Sequence, residues 1–72
     1  MLAVIVDDNK QAALDLAERL REFEDVEVGG MAINGMDGLS LVSQVQPDVL
    51  FLDVQLPDLS GLDFLEKMSS HT

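Results

Sequence analysis

The sequence predicts an α/β fold, a doubly wound parallel sheet with helices on both faces. Short apolar runs alternate with amphipathic stretches in the order β-α-β-α-β-α. Each apolar run is too short for a helix, and a continuous apolar run is typical of a strand buried on both faces. The 72 residues allow one small domain. Because crossovers between parallel strands are right-handed, we expect strand order 2-1-3, with the first helix on one face and the other two opposite.

The first half of the chain predicts two strands separated by one helix. Leu2–Val6 is a β-prone run that forms the first strand. Residues 10–24 repeat their apolar side chains at helical spacing, so they are predicted as an amphipathic helix. The second strand is expected over residues 26–32. It contains Gly29 and Gly30, which predict an edge strand or a bulge because glycine weakens a strand interior.

The second half predicts two helices around a third strand. Residues 36–45 are amphipathic, although Gly38 inside this helix costs about 1 kcal/mol relative to alanine. Residues 48–53 form the third apolar run. After a loop, Ser60 is expected to cap a third helix over residues 61–68.

Three aspartates stand where two of these strands end. Asp7 and Asp8 follow the first apolar run, and Asp53 ends the third. In order 2-1-3 these ends are neighbours, and open parallel sheets bind ligands beyond the carboxyl ends of their strands. Close carboxylates repel one another, and a hard cation such as Mg²⁺, which prefers oxygen ligands, relieves that repulsion. Alone, Asp7 and Asp8 could simply cap the next helix, but with Asp53 they favour a metal site.

Two motifs carry a resemblance to a known family. VIVDD at residues 4–8 and PDVLFLDVQLPDLSGLDFL at residues 47–65 closely resemble the receiver domain of two-component response regulators, which has the flavodoxin-like (CheY-like) fold. The proline four residues after Asp53 and the glycine eight residues after it also match. The resemblance covers the whole chain, and the second motif looks more like receivers attached to LytTR-type DNA-binding domains than like others.

The resemblance implies a phosphorelay function in the cytoplasm. Asp53 would be the phosphoacceptor, which attacks the phosphohistidine of a sensor histidine kinase and forms an acyl phosphate. Asp8 would ligate Mg²⁺ directly, Asp7 would orient it mostly through water, and the backbone carbonyl of Gln55 would supply another ligand. The module would not be a classical enzyme; it would switch an output domain, which by the same resemblance binds DNA. Asp58 is expected to be a solvated loop acid, because the family motif does not fix its position.

The sequence departs from the family pattern after the third helix. Receivers also carry β4-α4-β5-α5, and the Ser/Thr and Lys at the ends of those strands have no counterpart here, since Lys10, Lys67 and Thr72 lie elsewhere. Residues 1–72 are therefore expected to be a partial receiver that accepts phosphate poorly or not at all. Its third strand becomes an edge, so we expect a homodimer or a swapped oligomer.

Composition argues against several other functions. A net charge of −10 repels nucleic acids and anionic lipids, so direct nucleic-acid or membrane binding is not expected. No Walker-type loop is present, which argues against nucleotide hydrolysis. A metal-dependent phosphatase would want an aspartate where the chain has Gln55. The alternative that remains is a binding or assembly module derived from a receiver and never phosphorylated.

Overall fold

The computed structural model describes residues 1–69, so the loop position predicted for Thr72 lies outside the described residues. Three strands alternate with three helices, as predicted. The elements are β1 Leu2–Val6, α1 Lys10–Leu20, β2 Glu27–Ala32, α2 Gly35–Val45, β3 Val49–Leu52 and α3 Gly61–Ser69. Among residues 1–69, no helix has the length and apolar character needed to cross a membrane.

The strands form one parallel sheet in the order β2-β1-β3, which confirms the predicted topology. Val6 at the end of β1 is paired with Ala32 of β2 and with Leu52 of β3. All three strands therefore end at the same edge of the sheet. β3 lies at one side of the described sheet, and the self-association expected along it stays a prediction.

A bulge interrupts β2 where two glycines were expected to weaken the strand. Ala3 pairs with Val28 but Val4 pairs with Gly30, so Gly29 is the extra residue. A Cβ atom on Gly29 would lie 2.9 Å from a methyl group of Val45 at the end of α2. Both predicted alternatives, an edge strand and a bulge, are observed in β2, and close packing against α2 accounts for the missing side chain.

The core consists of two apolar layers, one on each face of β1. Ile5 packs with Ala13 and Ala17 of α1 on one face. The opposite face holds a cluster against which α2 and α3 pack. Its buried members are Val4, Val6, Ala32 and Phe64. The predicted division, with α1 on one face and α2 and α3 on the other, is confirmed.

The first helix ends earlier than residue 24, where the apolar spacing placed its end. α1 stops at Leu20, and two turns with i to i−3 hydrogen bonds follow it. The N–H of Glu22 donates to the carbonyl of Arg19 at 3.2 Å, and the N–H of Phe23 donates to Leu20 at 3.1 Å. Phe23 is 60% exposed, so it does not extend the buried stripe. The predicted boundary was wrong because the chain must turn here to begin β2.

Gly38 allows α2 to lie directly on the sheet. A Cβ atom at this position would lie 2.8 Å from Val6 and 2.9 Å from Phe64, both of which are fully buried. The helix propensity lost at Gly38 is therefore offset by a closer approach of α2 to β1.

Replacing Gly38 with valine is expected to destabilise the protein by at least about 2 kcal/mol, since a branched side chain would overpack this contact. Urea unfolding followed by circular dichroism would measure the change. Ser40→Val is the matched control, because Ser40 is exposed on the same helix and the change there should stay within about 0.5 kcal/mol. Equal losses from the two substitutions would contradict this account of Gly38.

Candidate functional site

The three aspartates singled out in the sequence come together at the carboxyl edge of the sheet. Asp7, Asp8 and Asp53 each place one carboxylate oxygen within 4.8 Å of the others. Asp7 and Asp53 are half-buried, and Asp8 is exposed. We call this group of three residues the acidic pocket, and solvent reaches it at Asp8.

Backbone hydrogen bonds hold two of the three acids in register with the ends of the neighbouring strands. The N–H of Asp7 donates to the carbonyl of Ala32 at 3.0 Å, and the N–H of Asp53 donates to the carbonyl of Val6 at 2.9 Å. The parallel ladder thus continues one step beyond β1 and β3. Because both acids take part in that ladder, their side chains leave the sheet at the same edge.

Helix capping does not account for the acidic pair after β1. The N-cap of α1 is Asn9, whose side chain accepts a hydrogen bond from the N–H of Ala12 at 3.1 Å. Asp7 contributes indirectly, since its Oδ1 accepts the N–H of Asn9 at 2.9 Å. Asn9 therefore supplies the helix cap that the sequence analysis considered as an alternative role for Asp7 and Asp8.

The donor set of the acidic pocket fits a hard divalent cation. It offers carboxylate oxygens, which are the ligands that Mg²⁺ and Ca²⁺ prefer. Two oxygens bound to the same cation lie at most twice the metal–oxygen distance apart, which is about 4.2 Å for Mg²⁺ and about 5 Å for Ca²⁺. The observed spacing, within 4.8 Å, meets the limit for Ca²⁺, and a small rotation of the side chains would meet the limit for Mg²⁺.

The loop between β3 and α3 is a compact turn that begins directly after Asp53. Its backbone is closed by a hydrogen bond from the N–H of Leu56 to the carbonyl of Leu59 at 3.0 Å. Gln55 and Ser60 form an isolated antiparallel bridge across its base. This places Gln55 two residues from Asp53 in an ordered segment, and its role as a carbonyl ligand stays a prediction.

Two residues at the start of α3 hold the end of this loop. The Ser60 hydroxyl accepts the N–H of Asp63 at 3.1 Å, which confirms the predicted cap. The N–H of Gly61 donates to the carbonyl of Val54 at 2.7 Å. A Cβ atom on Gly61 would lie only 3.2 Å from that carbonyl oxygen, so glycine allows α3 to begin against the backbone next to Asp53.

Asp58 has a structural role that the sequence analysis missed. It is exposed, as expected, yet both of its oxygens are engaged by the first turn of α2. Oδ1 accepts the N–H of Gly35 at 2.6 Å, and Oδ2 accepts the N–H of Met36 at 2.9 Å. These two backbone hydrogen bonds lower the pKa of the Asp58 carboxyl below its ordinary value of 3.8, and the bond from Gly35 has the larger effect.

This pKa shift predicts a pH-dependent contribution to stability. A carboxyl whose pKa is lowered by folding stabilises the native state above its ordinary pKa, and the contribution is lost as the pH falls through the native value. Asp58→Asn should therefore be less stable than the wild type at neutral pH. The two proteins should converge as the pH falls below about 4. Urea unfolding across this range tests the sign, and a gap that widens in acid would contradict it.

Comparison with known proteins finds one family. The sequence profile of the response regulator receiver domain matches residues 3–72. An uncharacterized response regulatory protein of Vibrio cholerae is 41% identical over 70 residues, which cover 97% of this chain and 30% of that protein. The transcriptional regulatory protein BtsR of Escherichia coli is 42% identical over 62 residues, 86% of this chain and 26% of BtsR. The chain thus spans less than a third of the curated relatives it matches.

Solved receiver domains share the fold. The response regulator domain of Thermotoga maritima CheB superposes with a TM-score of 0.92 at 24% identity, covering 97% of this chain and 52% of that one. The receiver domain of the putative response regulator NarL from Mycobacterium tuberculosis gives a TM-score of 0.91 at 27% identity, covering 97% and 56%. The flavodoxin-like fold expected from the sequence is confirmed.

Proposed function

This chain belongs to the response regulator receiver domain family of two-component signalling, and we propose that it accepts a phosphoryl group on Asp53 with the help of a divalent cation. The observation that carries the proposal is the acidic pocket. Three carboxylates meet within 4.8 Å at the edge of a parallel sheet where ligands of such sheets bind. One of them, Asp53, ends the third apolar run and is held by a backbone hydrogen bond to the end of β1.

The proposed step is a nucleophilic displacement at phosphorus. An Asp53 carboxylate oxygen forms the new O–P bond as the P–N bond of a phosphohistidine breaks. The electron pair of that bond returns to the imidazole nitrogen, which takes up a proton. The result is an acyl phosphate on Asp53. The protein's task in this step is to position the attacking carboxylate oxygen and to balance charge on the transferring group.

The pocket residues divide the task of holding the cation. Asp8 and Asp53 would bind it directly, Asp7 would orient it mostly through water, and the carbonyl of Gln55 would add a ligand. When bound, Mg²⁺ supplies positive charge that offsets the negative charge of the transferring phosphoryl group. The hydrogen bond from Asn9 to Asp7 fixes one Asp7 oxygen, and the ladder bond fixes the backbone of Asp53.

We also propose that a sensor histidine kinase donates the phosphoryl group and that the output is transcriptional. One relative, BtsR, is named a transcriptional regulatory protein, which supports an output of this kind. With a net charge of −10, these 72 residues are unsuited to touch DNA, so DNA binding would belong to another domain. A LytTR-type output domain stays a prediction.

Labelling with a small phosphodonor tests the proposed chemistry. Incubated with radiolabelled acetyl phosphate, the protein should gain a hydroxylamine-labile phosphoryl group when Mg²⁺ is present and lose the ability in EDTA. Absence of any label that depends on Mg²⁺ would favour a binding module that is never phosphorylated.

A further inference from the structure

The tip of the β3–α3 loop is docked on the start of α2 through two residues. Asp58 accepts hydrogen bonds from the N–H groups of Gly35 and Met36 at 2.6 and 2.9 Å. Leu59 lies against Gly35 so closely that a Cβ atom there would be 2.5 Å from the Leu59 Cδ1. A polar contact and an apolar contact therefore fix the same tip, and both depend on the first turn of α2.

These contacts complete the N-terminus of α2. The first N–H groups of a helix have no partner inside it and must be satisfied from outside. The side chain of Asn34, the N-cap, accepts the N–H of Asp37 at 2.8 Å. Asp58 supplies the oxygens for the two preceding N–H groups, and its negative charge also suits this end of the helix dipole. The helix start and the loop tip are thus one connected unit.

Hydrogen bonds within the β3–α3 loop connect its tip rigidly to its base beside the acidic pocket. The bridge between Gln55 and Ser60 consists of two hydrogen bonds, from Leu56 to Leu59 and from Gly61 to Val54, and it leaves few free torsions between the tip and the base. Asp53 lies directly before that base. A displacement of the tip would therefore move Gln55 relative to Asp53.

We propose that Asp58 is a positioning residue for the metal site, which holds the β3–α3 loop in the position from which the Gln55 carbonyl would ligate the cation. The inference rests on the proposed function, since it concerns the same cation. Asp58 does not itself join the three carboxylates that meet in the pocket. It acts through the loop, as partners that orient a metal ligand without touching the metal do elsewhere.

Magnesium titration of Asp58 variants tests the proposal. Asp58→Ala removes both acceptor oxygens and should weaken Mg²⁺ binding about 10-fold by calorimetry, the effect typical of losing a group that orients a ligand. Asp58→Asn keeps one acceptor oxygen and should fall between Asp58→Ala and the wild type. Asp63→Asn is the matched control, because it removes one charge from the exposed first turn of α3. Its affinity should stay within about twofold of the wild type.

Hydrogen exchange without metal supplies the second readout. The amides of Leu56 and Gly61, both bonded within the loop, should exchange faster in Asp58→Ala while those of β1 do not change. If the amides of β1 also exchange faster, Asp58→Ala lowers the stability of the whole fold. The loop amides and the Mg²⁺ affinity of Asp58→Asn then test the proposal. Asp58 variants that bind Mg²⁺ as tightly as Asp63→Asn would overturn the positioning role of Asp58 and leave the proposed function standing. A wild type that binds no Mg²⁺ would instead overturn the proposed function, and the positioning role would fall with it.

Discussion

Replacing Asp53 with asparagine is expected to reduce phosphorylation of this protein to background. The amide oxygen of asparagine is a poor nucleophile and cannot form an acyl phosphate, so the proposed reaction loses its attacking atom. The side chain has the same shape, and the ladder bond from the backbone of residue 53 to Val6 does not depend on it. The fold should therefore persist while the chemistry is lost. Radiolabelled acetyl phosphate with Mg²⁺, followed by peptide mapping, measures the effect.

The control for this substitution has to remove the same charge elsewhere. Asp63→Asn does so on the exposed surface of α3, and its labelling should equal that of the wild type. Asp7→Asn should retain part of the label, because Asp7 is assigned an orienting role and not the attack. Label that survives in Asp53→Asn, or that maps to Asp7 or Asp8, would place the acceptor elsewhere and contradict the proposed function.

The sheet and its order could be predicted because β1 is an unbroken apolar run, of which four successive residues, 3–6, are almost completely buried. Val4, Ile5 and Val6 are each at most 1% exposed, since helices cover both faces of the strand. Such a run leaves little ambiguity between a strand and a helix when two acids and an asparagine follow it directly. The right-handed crossover rule then leaves few arrangements for three strands.

The acidic pocket was predictable for a related reason. Each of its acids lies within two residues of the end of an apolar strand, and parallel strands carry such residues to one edge of the sheet. The sequence positions of Asp7, Asp8 and Asp53 therefore encode their proximity once the order 2-1-3 is known. Gln55 differs, because a carbonyl ligand depends on backbone direction in the loop, which side-chain patterns do not report.

The contacts of Asp58 could not be predicted because they join distant segments. Its partners, Gly35 and Met36, lie 23 and 22 residues earlier in the chain. An aspartate after a proline is common in solvated turns, so its local sequence favours the simpler interpretation. Asp58 instead meets the N-terminus of α2 because Leu59 packs on Gly35 and brings the loop tip there. The early end of α1 was missed similarly, since the spacing of Phe23 continues the helical pattern.

Replacing Asp8 with alanine is expected to change stability in opposite directions with and without metal. In EDTA, removing one of three carboxylates that meet within 4.8 Å relieves repulsion, so the variant should be more stable than the wild type by up to about 1 kcal/mol. With Mg²⁺, the wild type gains stability from binding in proportion to the logarithm of metal concentration over its dissociation constant. The variant lacks a direct ligand, and its affinity should fall at least about 10-fold.

Thermal unfolding of both proteins in EDTA and in saturating Mg²⁺ measures this reversal. Asp15→Ala is the matched control, because Asp15 is an exposed acid of α1 whose carboxylate accepts a hydrogen bond from Gln11. Its response to Mg²⁺ should equal that of the wild type, which separates binding in the pocket from general screening of a chain with net charge −10. An Asp8→Ala protein that is stabilised by Mg²⁺ as much as Asp15→Ala would mean that the cation does not bind among these carboxylates. Because Asp8 is the most exposed of the three, its removal should leave the core and the ladder bonds of Asp7 and Asp53 in place, so a lost metal response would reflect the missing ligand.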